Sequence, residues 1–428
     1  MPDPFSAGST GAVATAVTDA HRRDWGLVLA ATLRVVRDLD LAQDCAQEAY
    51  AAAVASWPGS GVPQSPTAWL ITTAKRRAID AVRRDRRLRS KLPLLVCDDP
   101  ETVQDPRVAP DPDGAVQDER LRLIFLCAHP ALAREAQVAL TLRLVCGLST
   151  ADIAAGFLVP ESTMAARITR AKRKIALAHI PLSVPSAELL PDRLAEVLDV
   201  VALVLATGHA APTGPDALRV DLLDLADDLS ATLQHLLPDQ PEVSGLRATV
   251  LLTLARRATR ADADGRILTL AEQDRSAWDR RLLDEAHTLI TDAMAAGGSG
   301  RHVLQAAITS LQSRPPAYDN IDWTEIVELY DALLVAWPSP VVSLNRAVAL
   351  SMRDGPVAAL GIVEALEAAG QLDGYRYLHA TKADLLTRLG RHAEAGAAYR
   401  RALELSHNDA ERLIFLTRLS PESGSSAG

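Results

Sequence analysis

The sequence predicts an all-α protein, and three observations support this prediction. Aromatic residues make up only 4 % of the 428 residues, and Ala and Leu dominate, which favours helix over sheet. Apolar residues recur at helical spacing, and short connections that contain Pro or Gly separate the helical stretches. A chain of this length suggests two to four domains. The clearest apolar stripe consists of Met164, Ile168, Ala171 and Ile175.

Charge is unevenly distributed along the chain. The net charge is −9, but residues 1–181 carry 23 basic and 20 acidic side chains, whereas residues 182–428 carry 22 and 34, a net charge of −12. Residues 71–91 carry nine basic and two acidic side chains, and residues 98–119 carry one and eight. This alternation predicts basic binding elements, an acidic Pro-rich linker at 93–119 and an acidic C-terminal module.

The first helical stretch covers 20–57 and follows a small, polar segment, 1–20, that we expect to be disordered. Within the stretch, an acidic and polar run places Asp44, Gln47 and Glu48 together on one exposed side of a helix. Such a face is either solvated or a docking surface for a partner. Taken by itself, the run favours the solvated interpretation.

A basic helix is predicted at 67–88, after a loop at 57–66 that contains three prolines and two glycines. Basic side chains that can meet phosphates lie close to an aromatic ring that can stack, which is the composition that single-stranded or melted DNA requires. A helix that is merely solvated usually mixes both signs of charge. The candidate residues of this helix are Trp69, Thr73, Arg76, Arg77, Arg83 and Arg84.

The stretch 148–175 predicts two short helices joined by a tight turn. Ser149 can cap the first helix, with Asp152 completing a capping box, and Pro160 has a φ suited to the first turn of the second helix. An ordinary amphipathic hairpin with a solvated basic face is the alternative. The second helix otherwise suits a DNA major groove, because its outward face carries small and basic side chains, namely Thr163, Ala165, Ala166, Arg167 and Arg170.

No pattern of a catalytic or metal site stands out in the sequence. The cysteines have no metal-ligand spacing, so we expect buried free thiols. His129 has no nucleophile or carboxylate set beside it and is predicted to be a loop or capping histidine. No segment has the length of a membrane span, and the N-terminus has no signal-peptide pattern. We therefore expect no cofactor, no metal and no enzymatic activity.

Residues 21–181 resemble a bacterial RNA polymerase sigma factor of the extracytoplasmic-function class. The resemblance implies a region 2 at 21–92, a linker at 93–119 and a region 4 at 120–181. It also implies that core RNA polymerase and promoter DNA are the partners, in the cytoplasm at the nucleoid and without a membrane. The matching motifs are DLAQDCAQEAY for region 2.2, PTAWLITTAKRRAIDAVRRDRR for regions 2.3 and 2.4, and EAQVALTLRLVCGLSTADIAAGFLVPESTMAARITRAKRKI for region 4.

The same resemblance divides the candidate residues into three groups. The three residues of the acidic run would contact the β′ subunit of polymerase. The six residues of the basic helix would open and read the −10 element, and the five of the recognition helix would read the −35 element. Leu158 and Pro160 depart from the usual turn, and this departure is typical of a subgroup with a C-terminal tetratricopeptide-like extension.

The C-terminal half is predicted to be helical in two segments. Residues 187–310 have no assigned role, and their motifs ARRATRADADGR and EQDRSAWDR either line a ligand pocket or tie helix ends by Arg–Asp pairs, which we favour. Residues 322–420 carry a tetratricopeptide-like repeat, with Gly355 and Gly390 in the turns. Such helix pairs offer a groove to a peptide or a domain, or form a structural cap. We expect a regulatory module fused to a sigma factor.

Two other functions stay open at this point. A helix-turn-helix regulator with a sensor domain would act without replacing the sigma subunit of polymerase, and it would leave the basic helix unexplained. An enzyme in 187–310 is the other possibility, but no nucleophile–base set, metal spacing or phosphate loop supports it.

Overall fold

The computed structural model shows helices throughout the part of the chain that it describes. Within that part no strand forms, and the two backbone bridges are isolated pairs, so the all-α prediction is confirmed. The chain divides into two compact units, Met1–Val200 and Val201–Gly428. The described ranges are 4–91, 114–157, 159–186, 188–211, 214–262 and 265–419.

Three helices form the first part of the N-terminal unit, namely α1 (Pro4–Val36), α2 (Leu39–Ser60) and α3 (Pro66–Lys91). The stretch predicted to be continuous over 20–57 is split, because Arg37 adopts a positive φ of 56°. Asp38 then caps α2, and its Oδ1 accepts a hydrogen bond from the backbone N–H of Leu41 at 2.8 Å. The three helices contribute buried small and aliphatic side chains, among them Leu29, Ala42, Ala46, Leu70 and Ala74.

Two predicted boundaries in this part differ from the structure. The segment 1–20, which we expected to be disordered, is helical from Pro4 onward. The loop predicted at 57–66 is shorter, because α2 continues to Ser60. Pro58 lies within the last turn of α2, where its missing N–H removes a single helical hydrogen bond.

The linker predicted at 93–119 also ends earlier, because the next helix, α4 (Gly114–Cys127), begins inside it. Residues 92–113 lie outside the described residues. Glu119, which we assigned to the acidic linker, is buried in α4, and its Oε1 accepts a hydrogen bond from Arg34 Nη1 at 2.7 Å. A carboxylate at this position therefore joins α4 to α1.

After α4 come α5 (Arg134–Leu140), a π-helical turn (Thr141–Val145), and then the two helices of the predicted helix-turn-helix, α6 (Thr150–Phe157) and α7 (Glu161–Leu177). The backbone N–H of Asp152 donates to Ser149 Oγ at 3.1 Å, and that hydroxyl donates to the Asp152 carboxylate at 2.6 Å. Pro160 immediately precedes α7 rather than lying in its first turn. The predicted apolar stripe of α7 is confirmed, since its four members are all buried: Met164, Ile168, Ala171 and Ile175.

The remaining helices begin with α8 (Leu190–His209), inside which the boundary between the two units falls. They continue with α9 (Val220–Leu236), α10 (Pro241–Ala255), α11 (Arg280–Ala295), α12 (Arg301–Ser313), α13 (Trp323–Ala336), α14 (Pro340–Asp354), α15 (Pro356–Ala368), α16 (Arg376–Arg388), α17 (His392–Leu405) and α18 (Asp409–Leu419). Gly245 lets α12 approach α10 closely, because a Cβ there would lie 2.6 Å from the backbone of His302.

The predicted turn glycines of the repeat segment do lie between paired helices. Gly355 separates α14 from α15 with a φ of 91°, and Gly390 separates α16 from α17 with a φ of 74°. Residues that have a side chain rarely adopt a positive φ, so glycine suits both turns. The assignment of these pairs to the tetratricopeptide class stays a prediction.

We expect Met164→Ala to loosen α7. The Met164 side chain is fully buried, and removal of such a side chain costs about 2–5 kcal/mol. Hydrogen exchange followed by mass spectrometry should therefore show faster exchange of the α7 amides. Met294→Ala in α11, at a residue that is 46 % exposed, is the control and should leave exchange near the wild-type rate. Unchanged α7 exchange in Met164→Ala would contradict the packing described here.

Candidate DNA and polymerase interface

The outward side of α7 carries the predicted major-groove residues. Arg170 Nε donates to the carbonyl oxygen of Ala166 at 3.2 Å, which orients the guanidinium along the helix. The buried stripe fixes the rotation of α7, so the predicted residues lie outside the core. Arg167 is half-buried, and the exposed residues are Thr163, Ala165, Ala166 and Arg170.

A second basic surface lies on α3. The Trp69 ring is half-buried and meets the ring of Trp57 edge-on, with centroids 5.5 Å apart and an interplanar angle of 68°. Trp57 is itself buried, so it holds Trp69 in place while part of that ring stays accessible, as a stacking platform requires. Along α3, the exposed candidates are Arg76, Arg83 and Arg84, and the half-buried ones are Thr73 and Arg77.

The acidic-polar face of α2 adjoins this basic surface. Asp44, Gln47 and Glu48 are all exposed on α2. Glu48 Oε2 accepts a hydrogen bond from Arg77 Nη1 of α3 at 2.7 Å. An exposed ion pair of this kind contributes about 0–1 kcal/mol, so either partner can exchange it for an outside contact. The structure thus joins a predicted polymerase residue to a predicted DNA residue.

Lys172 of α7 contacts the same helix, α2, near its N-terminus. Its Nζ donates to Asp40 Oδ1 at 2.7 Å and also to the side-chain oxygen of Gln43. Only 15 % of the Lys172 side chain is exposed. In this arrangement Lys172 is held by α2, whereas Lys174 is exposed.

Helix α1 meets the segment 145–147 at two glycines. A Cβ on Gly26 would overlap with the carbonyl oxygen of Val145, and a Cβ on Gly147 would lie 2.9 Å from the ring of Trp25. Gly147 also has a φ of 73°, a value that residues with a side chain rarely adopt. We call the packing of α1 and α2 against residues 145–147 and α7 the closed arrangement. It depends on two residues whose only sequence signal is their small size.

Aromatic and charged groups surround this contact. The ring of His21 lies 5.0 Å from that of Trp25 and 5.1 Å from that of Tyr50. Burial and the nearby positive charge of Arg143 lower the pKa of His21 below its usual value. Trp25 and Tyr50 are also buried, so the contact has a packed aromatic layer behind it.

The beginning of α8 contacts the helix-turn-helix part. Arg134 Nη1 donates to Glu196 at 2.7 Å, and its Nη2 forms an ion pair with Asp199 at 2.5 Å. Arg193 Nη2 donates to the carbonyl oxygen of Phe125 at 2.6 Å. These partners lie beyond residue 181, where we predicted this domain to end. Sequence reasoning missed them because periodicity is visible only within a short window, whereas Arg134 and Glu196 lie 62 residues apart.

The described residues hold no cluster of three His, Cys, Asp or Glu side chains that could bind a metal ion. Cys45, Cys127 and Cys146 are buried and form no disulfide, as expected, and Cys97 lies outside the described residues. His129 Nδ1 accepts a hydrogen bond from the backbone N–H of Ala131 at 3.1 Å, which agrees with a loop role. Among the described helices, none combines the length and the apolar character that crossing a membrane requires.

Comparison with known proteins places families on three parts of the chain. Residues 21–88 match sigma-70 region 2, residues 122–175 match sigma-70 region 4, and residues 193–294 match a family of unknown function (DUF6596). An uncharacterized protein of Rhizobium meliloti (strain 1021) is 43 % identical over 406 residues, which cover 94 % of each chain. The chain belongs to the sigma-70 family. Regions 2 and 4 give it the role of a sigma factor in promoter recognition, with core RNA polymerase and promoter DNA as partners.

In this sigma-70 chain, both sides of the closed arrangement fall inside the family matches. Gly26 and Asp40 belong to region 2, and Val145, Gly147 and Lys172 belong to region 4. All the residues that we predicted for DNA or polymerase also fall inside the two matches. Regions 2 and 4 therefore contact each other directly in the described structure.

The closed arrangement predicts a specific cross-link. A zero-length carbodiimide reagent should join the Lys172 amine to the Asp40 carboxylate, since the two groups lie 2.7 Å apart. Gly26→Ala should reduce the yield several-fold, because the added Cβ overlaps with the backbone of Val145. Gly59→Ala is the matched control, since a Cβ there meets nothing within 4 Å. Mass spectrometry of the digested protein gives the yields, and equal yields in all three proteins would contradict the arrangement.

Proposed function

We propose that this chain is an extracytoplasmic-function sigma factor that binds core RNA polymerase in the cytoplasm and directs initiation at promoters through their −10 and −35 elements. The proposal is carried by one observation: a single compact unit holds two basic surfaces, on α3 and α7, with an acidic-polar face on α2 beside the first. A helix-turn-helix regulator that acts without polymerase needs only the α7 surface.

The proposed −35 surface is α7. Arg167 and Arg170 are suited to guanine, because a guanidinium can donate two hydrogen bonds to the O6 and N7 atoms in the major groove. The small side chains of Thr163, Ala165 and Ala166 let the helix approach the bases closely, and a Thr or Ala methyl can contact a thymine methyl. The exposed Lys174 would meet a phosphate.

The proposed −10 surface is α3 with Trp69 at its beginning. The accessible part of the Trp69 ring can stack on an unpaired base, and the exposed Arg76, Arg83 and Arg84 can neutralise the phosphates of the opened strand. Arg77 and Thr73 lie between these groups and are half-buried. This combination supports binding to melted rather than to duplex DNA.

The proposed polymerase surface consists of Asp44, Gln47 and Glu48 on α2. Carboxylates and an amide on one exposed helix face suit a basic partner surface, since opposite charges steer association and fix the register. Glu48 already pairs with Arg77, so polymerase binding and the state of the −10 surface are coupled through one ion pair.

The closed arrangement cannot read both promoter elements at once. The −10 and −35 elements lie about 25 base pairs apart, roughly 85 Å along the duplex. Lys172 contacts α2 directly, and the helix from Thr163 to Lys172 spans only about 14 Å. Regions 2 and 4 must therefore separate on the promoter. The chain between Lys91 and Gly114 can reach roughly 75 Å when fully extended, and the lengths of the two regions themselves add to that reach.

Residues 182–428 are proposed to be a regulatory module, with tetratricopeptide-like helix pairs whose groove takes a peptide or protein partner. Their net charge of −12 favours attraction to the basic segments, but salt screens this beyond about 8–10 Å. A docked contact is therefore needed as well. The ion pairs of Arg134 with Glu196 and Asp199 lie within the N-terminal unit and join region 4 to the beginning of α8.

Substitutions in α7 test the −35 assignment. Arg167→Ala and Arg170→Ala should each weaken promoter binding by about 1–3 kcal/mol and relax the sequence preference at one position. Lys174→Ala should weaken binding to all promoter sequences equally. It should also reduce the slope of log K against log salt concentration by about one. Competition binding with the polymerase holoenzyme and a set of −35 variants separates the two classes. If base changes affect all three variants alike, the base-reading role of the arginines is wrong.

A charge reversal on α2 tests the polymerase assignment. Asp44→Lys should reduce affinity for core RNA polymerase about 10- to 100-fold, because it places a positive charge where a basic partner surface is expected. Asp19→Lys makes the same charge change at an exposed position of α1 and should bind like the wild type. Circular dichroism should show both variants folded. Core affinity that is the same in all three proteins would remove the α2 face from the proposal.

A further inference from the structure

The C-terminal unit contains a cavity of about 360 Å³ between the part that matches the family of unknown function and the repeat helices. Two arginines and a glutamine, from the turn after α10 and the loop before α11, line one side. Three aromatic residues, from the α12–α13 connection and from α13, line the other. We call this space the arginine cavity, after two of its lining residues. The lining residues that bear on its chemistry are Arg256, Arg260, Gln273, Tyr318, Trp323 and Tyr330.

The two arginines of this cavity have no carboxylate partner among the described residues. Arg256 Nη1 donates to Ser313 Oγ at 3.3 Å, Arg260 Nη1 donates to the carbonyl oxygen of Leu268 at 3.2 Å, and the Nε atoms of both are buried without a partner. Both hydrogen bonds go to neutral acceptors. Both side chains are half-buried with their Nε atoms shielded from water, and a guanidinium that loses part of its water without gaining an anion is unfavourable.

Neighbouring arginines in the same motifs do have carboxylate partners. Arg257 pairs with Asp224 at 3.2 Å, and Arg266 pairs with both Asp262 and Glu272 at 3.0 Å. The expectation that Arg–Asp pairs tie these segments is therefore confirmed for some arginines. It fails for the two that face the cavity.

A third arginine strengthens the positive potential beside the cavity. Arg275 is buried, its Nη2 has no partner, and its Cζ lies 4.7 Å from the centroid of the Trp278 ring. Arg256 shares that ring, with its Cζ at 5.7 Å. Burial and the charges of Arg260 and Arg275 lower the pKa of Arg256 to about 10, so it still carries its charge at pH 7.

Among the described residues, the other ionisable groups around the two arginines form no ion pair with them. His209 is kept neutral, because burial and the two arginines lower its pKa to about 3. Glu411 acts on Arg260 electrostatically, but its Oε1 already accepts a hydrogen bond from Arg376 Nη2 at 2.9 Å. The cavity therefore keeps an excess of positive charge.

The other side of the cavity is aromatic and amide-bearing. Tyr318 and Trp323 pack edge-on, with ring centroids 5.8 Å apart. Gln273 is only 7 % exposed, and its side-chain oxygen has no partner. A volume of 360 Å³ lies within the range of small-molecule sites, about 300–1,000 Å³, and is far too small for a nucleic acid or a protein segment.

We propose that the arginine cavity binds a small aromatic carboxylate. The carboxylate would accept hydrogen bonds from Arg256 and Arg260, whose planar guanidinium groups match it in shape and charge. The ring would pack against Tyr318 and Trp323, and Gln273 would bond to a polar ring substituent. The site goes beyond promoter recognition. The two sides of the cavity come from different parts of the module. A bound ligand would therefore link the part that matches the family of unknown function to the repeat helices.

Titration calorimetry on the full-length chain tests this site. The probes are 4-hydroxybenzoate, its uncharged analogue 4-hydroxybenzamide, and inorganic phosphate as an anion without a ring. We expect 4-hydroxybenzoate to bind at least about tenfold more tightly than either of the others. Arg256→Gln should abolish this binding, whereas Arg257→Gln, at the adjacent paired arginine, should retain it. Equal binding of inorganic phosphate would overturn the aromatic class, and equal binding by the two arginine variants would overturn the site.

A second variant keeps the test decisive if Arg256→Gln fails to fold. Gln273→Glu places a carboxylate inside the cavity, beside the unpaired arginines. It should raise the Tm of the unliganded chain and abolish binding of 4-hydroxybenzoate, because the new side chain takes the place of the ligand. A lower Tm together with unchanged binding would show that the arginines do not need an anion, and no binding of any probe by the wild type would overturn the proposal.

Discussion

Helix α1 lies directly against the carbonyl oxygen of Val145 because Gly26 has no Cβ, and Gly147 lies against the ring of Trp25 for the same reason. This close approach joins region 2 to region 4 and lets Lys172 reach Asp40. The surfaces proposed for polymerase and for DNA are therefore held together in the closed arrangement. We therefore expect that promoter recognition requires the contact of α1 with residues 145–147 to be broken.

Two kinds of contact hold the closed arrangement, and they respond differently to a partner. The ion pair of Lys172 with Asp40 lies near the surface on the side of Asp40, which is 77 % exposed, and it contributes little, so polymerase or DNA can replace it. The contact of α1 with residues 145–147 consists of backbone atoms and buried aromatic rings, and salt does not screen such packing. We therefore expect ionic strength to tune DNA binding, while packing at Gly26 sets the cost of opening.

Local patterns predicted the elements, and long-range contacts decided the rest. The stripe from Met164 to Ile175 predicted the buried face of α7, because helical spacing is visible in a short window. The same window could not reveal that Gly26 meets Val145, nor that Glu119 belongs to a helix rather than to a linker. In the C-terminal unit, the motif around Arg256 contains both paired and unpaired arginines. Which arginine lacks a partner depends on the packing of distant helices, so both interpretations stayed open until the structure was known.

The distance between regions 2 and 4 during initiation tests this account most directly. Energy transfer between dyes at the exposed positions 54 and 177, on α2 and α7, reports that distance in the full-length chain. We expect efficient transfer in the free protein and its loss when core RNA polymerase and a promoter are added, as the regions move toward the roughly 85 Å that separates the two elements. Efficient transfer that persists in a complex that initiates transcription would contradict it.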